Sequence, residues 1–213
     1  MADSISGEGH VRVIGLTGGI LSGKSTIAQM LAEKGAVIVD ADRVGHEAYQ
    51  PHTQVWQEVV AAFGPAIVKE NEEIDRKRLG EVVFKDPAAL ERLNRIMHPR
   101  MHDMIGERIE RLRRDGAQVV VLEAAVLIEA SWTDLVDEVW VATAPEETVV
   151  ARLKDRGGMS EEQARARIRS QLSPEERARH GDVIIDTDCD LSGVRATVDQ
   201  LWQRLQSHGD KGV

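Results

Sequence analysis

One short stretch combines the residue types that bind phosphate. Residues 18–26 read GGILSGKST and fit the pattern G-x-x-x-x-G-K-S, between an apolar run and an amphipathic segment. Glycine lets successive backbone N–H groups turn towards a phosphate, and a helix N-terminus adds about half a positive charge. The pattern predicts a nucleotide phosphate loop whose ligands are Gly18, Gly19, Ile20, Leu21, Ser22, Gly23, Lys24, Ser25 and Thr26.

Two side chains of this loop have separate expected roles. Lys24 is long enough to reach the β- and γ-phosphates of ATP and to neutralise their charge. The hydroxyl of Ser25 suits Mg²⁺, which prefers oxygen ligands and usually binds together with phosphates. The loop therefore predicts ATP as co-substrate and Mg²⁺ as cofactor.

Three carboxylates follow predicted strands at the edge of the sheet where this loop begins. Asp40 and Asp42 follow the second strand, and Glu123 ends the third. A carboxylate there can accept the proton of an attacking hydroxyl group, a role we assign to Asp42. Asp40 is expected to cap the helix beginning near Arg43. Glu123 has two open roles, orienting Mg²⁺ through water or binding the acceptor.

An arginine-rich segment, residues 152–179, allows two interpretations. Guanidinium groups closing over the nucleotide would stabilise the charge of a transferring phosphoryl group and exclude water, as a lid does. The same composition is typical of solvated helices with Glu–Arg pairs. Both interpretations remain open from the sequence.

Short apolar runs alternate with amphipathic segments along the chain, which predicts an α/β fold. We expect a P-loop nucleoside-kinase-like, three-layer fold with a five-stranded parallel sheet, a helical insertion and a lid. Strands are predicted at 11–16, 36–39, 118–123, 138–143 and 182–186. Helices are predicted at 24–34, from 43 through Phe63, over 75–115 with breaks at Asp86-Pro87 and His98-Pro99, from Pro145 towards Arg156, and at 160–170, 174–180 and 191–206.

This order of elements predicts one kinase domain over 11–213. Its core is expected at 11–44, 116–155 and 181–206, its acceptor-binding helical insertion at 45–115 and its lid at 156–180. Residues 1–10 are polar and are expected to form a disordered tail.

Composition excludes several classes of protein. The net charge of −9 over 213 residues argues against general nucleic-acid binding, and the chain has one cysteine, Cys189, so it has no internal disulfide. No apolar run approaches the roughly 18 residues that cross a bilayer. We therefore expect a cytoplasmic protein, a monomer or weak oligomer, with small-molecule substrates.

Several stretches in order resemble the dephospho-CoA kinase family. They are IGLTGGILSGKST, VIVDADRVGHEAY, IDRKRLGEVVF, IMHPRM, VVLEAAVLIE and RLKDRGGMSEEQARARIRSQ, and the resemblance as a whole covers residues 13 to about 188. The phosphate loop is generic, whereas D-A-D, I-D-R and H-P in this order make the match specific. The resemblance implies ATP-dependent phosphorylation of the ribose 3′-hydroxyl of dephospho-CoA.

The same resemblance assigns roles to individual residues. It implies that Asp42 is the base on the ribose hydroxyl and that Arg156 stabilises the transferring charge. Arg76, His98 and Glu123 fall at positions lining the acceptor side, although His98 also fits a packing residue before Pro99. Asp182 matches a position near the adenine pocket, or else caps or lies in solvent.

Three positions depart from the family pattern. Leu21 stands where the family usually has Gly or Ala, and Asp186 where it often has Asn. The stretch Glu123-Ala-Ala125 replaces D-x-P, which is closer to the kinase domain of bifunctional coenzyme A synthases. Those proteins carry an adenylyltransferase upstream, and because ten residues precede the first predicted strand, we expect that domain to be missing here.

Two other functions remain open. A nucleoside monophosphate kinase or other small-metabolite kinase would share the phosphate loop and the lid, but transfer to a phosphate calls for arginines rather than the carboxylate of Asp42. A non-catalytic nucleotide-binding module would bind ATP without transferring phosphate. A GTPase is disfavoured, because the chain has no N-K-x-D.

Overall fold

The computed structural model describes residues 11–157 and 160–209, with the side chains of residues 156, 157, 208 and 209 outside that description. The strands are β1 (Arg12–Gly18), β2 (Val37–Asp40), β3 (Val119–Glu123), β4 (Glu138–Thr143) and β5 (Val183–Asp186). The helices are α1 (Lys24–Glu33), α2 (Ala41–Ala48), α3 (Gln54–Phe63), α4 (Arg76–Val83), α5 (Pro87–Arg114), α6 (Glu146–Gly157), α7 (Glu161–Arg169), α8 (Pro174–Ala178) and α9 (Leu191–Gly209). The predicted tail, residues 1–10, lies outside the described residues.

The five strands form one sheet in the order β2-β3-β1-β4-β5. Strand β1 pairs in parallel with β3 and with β4, and β4 pairs in parallel with β5. In this register Leu16 is opposite Glu123, and Gly18 is opposite Ala142. The predicted five-stranded parallel sheet is confirmed, and its register brings the ends of β1, β3 and β4 to the same edge.

Apolar strands and one face of the helices make the main core. Residues of β1 and α1 such as Ile14, Leu16, Ile27 and Leu31 are fully buried, and Trp140 of β4 lies among them. Burial of the sheet explains why its strands read as continuous apolar runs rather than as alternating patterns. This packing fixes the end of β1 and the start of α1, between which the phosphate loop lies.

The chain divides into two compact units. The first comprises the described residues up to Val39 and from Ile109 onwards, and the second is Asp40–Arg108. The second unit is helical and holds α2, α3, α4 and most of α5, with a short 3₁₀ turn at Pro65–Ile67. Within the described residues, no helix is both long enough and apolar enough to cross a membrane.

Two helix predictions were wrong. A single helix from 43 through Phe63 was expected, but α2 ends at Ala48 and α3 begins at Gln54. Pro51 disfavours helical backbone at the residue before it, and Thr53 then caps α3 by accepting from the N–H of Trp56. A separate N-cap on α3 is incompatible with one continuous helix.

The expected break at His98-Pro99 is absent, and α5 runs through Pro99. An internal proline costs a helix about 3 kcal/mol, because it removes one hydrogen bond and crowds the preceding turn. The flanking residues Met97, Met101 and Ile105 are buried, whereas Pro99 itself is exposed. Packing of the apolar face therefore keeps the helix intact across the proline. The break expected at Asp86-Pro87 is found, since α5 begins at Pro87.

Candidate active site

The phosphate loop lies between β1 and α1 and contains two positions that require glycine. A Cβ built on Gly18 would overlap the hydroxyl of Ser22 and lie 2.6 Å from the carbonyl oxygen of Ala142. Gly23 has φ +88°, a conformation that side chains disfavour, and a Cβ there would lie 2.9 Å from Thr187 Cγ2. The glycine pattern seen in the sequence thus has two physical causes, close approach and left-handed backbone.

Carbonyl groups of the loop are bound by side chains from outside it. Arg152 Nη1 donates to the carbonyl oxygen of Leu21 at 3.0 Å, and Thr187 Oγ1 donates to that of Ser22 at 2.9 Å. Arg152 also donates to Thr187 Oγ1 and, through Nη2, to the carbonyl oxygen of Thr187. Because these carbonyls are satisfied elsewhere, the loop can present N–H groups to an anion. Sequence reasoning missed both Arg152 and Thr187, whose roles depend on residues more than a hundred positions away.

Leu21 adopts a backbone conformation that disfavours leucine. Its φ is +51°, in the left-handed region, which costs an L-residue about 1–2 kcal/mol. Its side chain packs against the apolar cluster that includes Val149, Val150 and Ala164. Packing offsets the strain, so a leucine can replace the Gly or Ala expected at this position.

Three functional side chains meet where β3 ends beside the loop. Lys24 Nζ lies 3.1 Å from Glu123 Oε1, and the Ser25 hydroxyl donates to the same oxygen at 2.7 Å. The side chains of Lys24 and Glu123 are 17% and 15% exposed, so this ion pair is largely shielded from water. The structure therefore brings together the lysine predicted to bind phosphate, the expected Mg²⁺ ligand and the strand-ending carboxylate.

The residues at this point fit Mg²⁺. Magnesium is usually held by one or two protein oxygens, with water and substrate phosphates completing the octahedron. The Ser25 hydroxyl and the Glu123 carboxylate are adjacent oxygen donors beside the phosphate loop. Among the described residues there is no group of three or more His, Cys, Asp and Glu side chains that could hold a metal by themselves.

A buried arginine, which the sequence did not single out, lies beneath the same edge of the sheet. Arg177 of α8 is 2% exposed and donates to the Glu129 carboxylate at 2.9 Å, the Ala125 carbonyl at 3.0 Å and the Thr17 hydroxyl at 3.2 Å. It therefore ties α8 to the end of β1 and to the segment that follows β3. A single arginine in a run of charged residues carries no local signal of burial.

The segment predicted as a lid contains two capped helices. Ser160 with Gln163 caps α7, and Ser173 with Glu176 caps α8, each as a reciprocal capping box. Arg165 pairs with three glutamates, Glu146, Glu147 and Glu161, which raise its pKa. The contacts of Arg165 therefore fit the interpretation of this segment as helices with Glu–Arg pairs. Arg156 belongs to the last turn of α6, but its side chain lies outside the described residues.

Asp40 and Asp42 belong to the second unit. Asp40 Oδ1 accepts from the backbone N–H groups of Asp42 and Arg43, so its predicted role as the N-cap of α2 is confirmed. Asp42 is exposed in the first turn of α2, and the N-cap of this helix is Asp40 rather than Asp42.

Two further predicted acceptor residues belong to the helices of this unit. Asp75 caps α4 through the N–H groups of Lys77 and Arg78, and this places Arg76 at the first position of the helix. Burial raises the pKa of Tyr49, and the charge and hydrogen bond of Arg76 oppose that rise. His98 is half-buried within α5. The contacts of Arg76, His98 and Glu123 with an acceptor remain predictions.

Asp182 has a structural partner in the backbone of β4. Its carboxylate accepts from the backbone N–H of Val139 at 2.8 Å, at the start of β4. Asp137 does the same for Val13 at 2.7 Å, so each aspartate satisfies the N–H group of the second residue of a neighbouring strand. This contact favours the capping role for Asp182 over one at the adenine pocket.

A parallel sheet, a glycine-dependent phosphate loop and a lysine–carboxylate–hydroxyl cluster at its helix define the class of P-loop kinases. The family model for dephospho-CoA kinase matches residues 12–192, most of the chain. The chain belongs to the dephospho-CoA kinase family.

Individual relatives agree with this assignment. The dephospho-CoA kinase of Symbiobacterium thermophilum is 44% identical over 193 residues, which are 91% of this chain and 81% of that protein. The dephospho-CoA kinase of Geobacter sulfurreducens is 43% identical over 194 residues, 91% of this chain and 98% of that protein. The solved structure of dephospho-CoA kinase from Campylobacter jejuni superposes with a TM-score of 0.70 at 26% identity, covering 92% of this chain and 98% of that one.

Proposed function

We propose that the chain transfers the terminal phosphoryl group of ATP to the ribose 3′-hydroxyl of dephospho-CoA, which yields coenzyme A and ADP. The observation that carries the proposal is the contact of Lys24 and Ser25 with one oxygen of Glu123, in a chain that matches the family over residues 12–192. Phosphoryl transfer needs positioning and neutralisation of charge more than covalent chemistry, and this cluster is suited to both.

Each residue of the cluster has a proposed task. Backbone N–H groups of the loop bind the phosphates, and Lys24 exchanges its ion pair with Glu123 for the β- and γ-phosphates. Ser25 and the neighbouring Glu123 would hold Mg²⁺. When bound, Mg²⁺ neutralises the charge that develops on the phosphate oxygens. Before the nucleotide binds, the contacts with Glu123 keep Lys24 and Ser25 in place.

The helical unit is proposed to bind the acceptor. Asp42 accepts the proton of the ribose hydroxyl, since Asp40 already supplies the cap of α2 and leaves Asp42 available. Arg76, fixed at the start of α4 by Asp75, and His98 of α5 bind other parts of dephospho-CoA. Arg156 stabilises the transferring phosphoryl group. A cytoplasmic enzyme that is a monomer or weak oligomer remains the expectation.

A substrate panel tests the proposal. ADP formation by the purified chain is measured with ATP and Mg²⁺ in the presence of dephospho-CoA, AMP, UMP or shikimate. We expect dephospho-CoA to have a kcat/KM at least about 100-fold above each competitor. Equal or better turnover of any competitor would reject the acceptor. ATP binding without turnover of any of them would support the non-catalytic module instead.

A further inference from the structure

The side chain of Gln171 contacts the phosphate loop directly. Its Oε1 accepts a hydrogen bond from the backbone N–H of Ile20 at 2.8 Å, and a Cβ built on Gly19 would lie 3.5 Å from the same oxygen. Gln171 follows the C-terminal end of α7, and its own N–H donates to the carbonyl oxygen of Ile168. This contact ties the segment predicted as a lid to the loop predicted to bind phosphate.

Apolar packing supports the same arrangement. Ile20 and Leu21 of the loop and Ile168 of α7 pack against one cluster, formed by Ala144, Val149, Val150, Leu153 and Ala164. The loop and α7 therefore share a common apolar surface on the side of the loop where Gln171 lies. The position of Gln171 rests on this packing as well as on its hydrogen bond.

Chemistry determines which way the carboxamide is turned. A backbone N–H needs an acceptor, so the oxygen of Gln171 must face Ile20, and the amide nitrogen Nε2 occupies the other branch. Nε2 carries two donors, and in the part of the chain that the structure describes no residue accepts a hydrogen bond from it. Gln171 is exposed, so these donors are accessible beside a loop whose function is to hold phosphate oxygens.

We propose that Gln171 contacts the terminal phosphoryl group of the bound nucleotide. Its Oε1 holds the side chain on Ile20, and its Nε2 donates to an oxygen of that phosphoryl group. The inference rests on the proposed function to the extent that a nucleoside triphosphate is bound, and it adds a donor that the loop pattern does not contain. A neutral amide stabilises charge on the oxygen without exchanging a proton with it.

The test compares two nucleotides that differ at the terminal phosphoryl group. The Kd values of AMP-PNP and ADP are measured calorimetrically with Mg²⁺ for the unaltered chain and for Gln171→Ala. We expect the Kd of AMP-PNP to rise about tenfold, the loss typical of one hydrogen bond to a charged group, and that of ADP to change less than about twofold. An equal rise for both nucleotides, or no change for either, would overturn the proposal.

Gln171→Glu separates the phosphate contact from the attachment to the loop. Glutamate keeps an acceptor oxygen for Ile20 but replaces the two donors with a negative charge. We expect its AMP-PNP affinity to be at least as weak as that of Gln171→Ala, and an affinity equal to that of the unaltered chain would refute the contact. No acceptor substrate is present in these titrations. Their result therefore tests the role of Gln171 even if the proposed acceptor is wrong.

The lid offers a matched control in Gln163. Its side chain accepts from the N–H of Ser160 as part of the capping box of α7. Within the described residues, Gln163 makes no hydrogen bond to the phosphate loop. Gln163→Ala should therefore leave the ratio of the AMP-PNP and ADP affinities unchanged. If this substitution changes the ratio as much as Gln171→Ala does, the effect comes from α7 as a whole and the proposal fails. Thermal unfolding of each variant shows whether it is folded.

Discussion

The hydroxyl of Ser25 and the carboxylate of Glu123 are joined by a hydrogen bond of 2.7 Å, and Lys24 lies 3.1 Å from the same carboxylate oxygen. One side chain at the end of β3 therefore contacts both Lys24 and Ser25 of the phosphate loop. The register of the sheet makes this possible, since Leu16 of β1 is paired with Glu123 itself. A strand-ending carboxylate thus organises a loop more than ninety residues earlier in the chain.

Glu123→Gln removes the charge and keeps the size of this side chain. We expect kcat/KM for ATP to fall about 10- to 100-fold and the Mg²⁺ concentration for half-maximal rate to rise, because the amide holds Lys24 and the metal more weakly. Steady-state kinetics at varied Mg²⁺ measures both. Glu123→Asp is the control, since it keeps the charge at the shorter length usual in the family. A fully active Glu123→Gln enzyme would contradict the role given to this carboxylate.

Asp42→Asn tests the proposed base. Loss of a general base costs about 10²- to 10⁴-fold in kcat, whereas ATP binding should remain nearly unchanged, because Asp42 does not belong to the phosphate loop. Rapid-quench measurement of phosphoryl transfer tests the expected loss of rate, and calorimetric titration with ATP tests whether binding is unchanged. Asp40→Asn is the matched control, since asparagine also caps helices and should preserve most of the activity. Equal losses in the two variants would argue for a structural effect on α2.

Local patterns account for most of what the sequence predicted correctly. All five strands lie within two residues of their predicted positions, because each is a short apolar run in a sheet covered by helices. The cap at Asp40 is likewise a local feature, determined by the two residues that follow it. The prediction of the helical region was less accurate. Proline locally disfavours a continuous helix, but the packing of Met97, Met101 and Ile105 keeps α5 intact across Pro99.

Contacts between distant residues could not be read from the chain. Arg177 contacts Thr17 across 160 positions, and Gln171 contacts Ile20 across 151. Both lie in a segment whose composition fits a solvated, charged surface as well as it fits a lid. Their positions follow from how α7 and α8 pack, which no spacing of residues within the segment encodes.

Arg177→Leu should lower the free energy of unfolding. Removing one partner of a buried ion pair costs about 3–5 kcal/mol, and we expect the lower end of that range because Glu129 is one-third exposed. Urea unfolding at neutral pH measures the change. Arg179, exposed two residues later, supplies the control Arg179→Leu, which should change stability by less than about 0.5 kcal/mol. Similar values for the two variants would show that burial of Arg177 is not stabilising.

Asp75 makes a pH-dependent contribution to stability. Its pKa is lowered, chiefly because the backbone N–H of Arg78 donates to its carboxylate. An aspartate with a lowered pKa stabilises the folded state when the pH is above the pKa of this group in the unfolded chain, about 3.9. This stabilisation is lost as the pH falls through the pKa of the same group in the folded state. The difference in unfolding free energy between the unaltered chain and Asp75→Asn should therefore shrink from pH 6 to pH 2.5. Denaturant titrations across this range measure it, and a constant difference would contradict the assignment.

The position of the transferred phosphoryl group tests the central claim most directly. The unaltered chain is incubated with ATP, Mg²⁺ and dephospho-CoA, and the product is analysed by phosphorus and proton nuclear magnetic resonance. The account predicts one new phosphomonoester on the ribose 3′-oxygen, formed in equal amount with ADP. ADP without a phosphomonoester, or a phosphoryl group on any other oxygen, would contradict it.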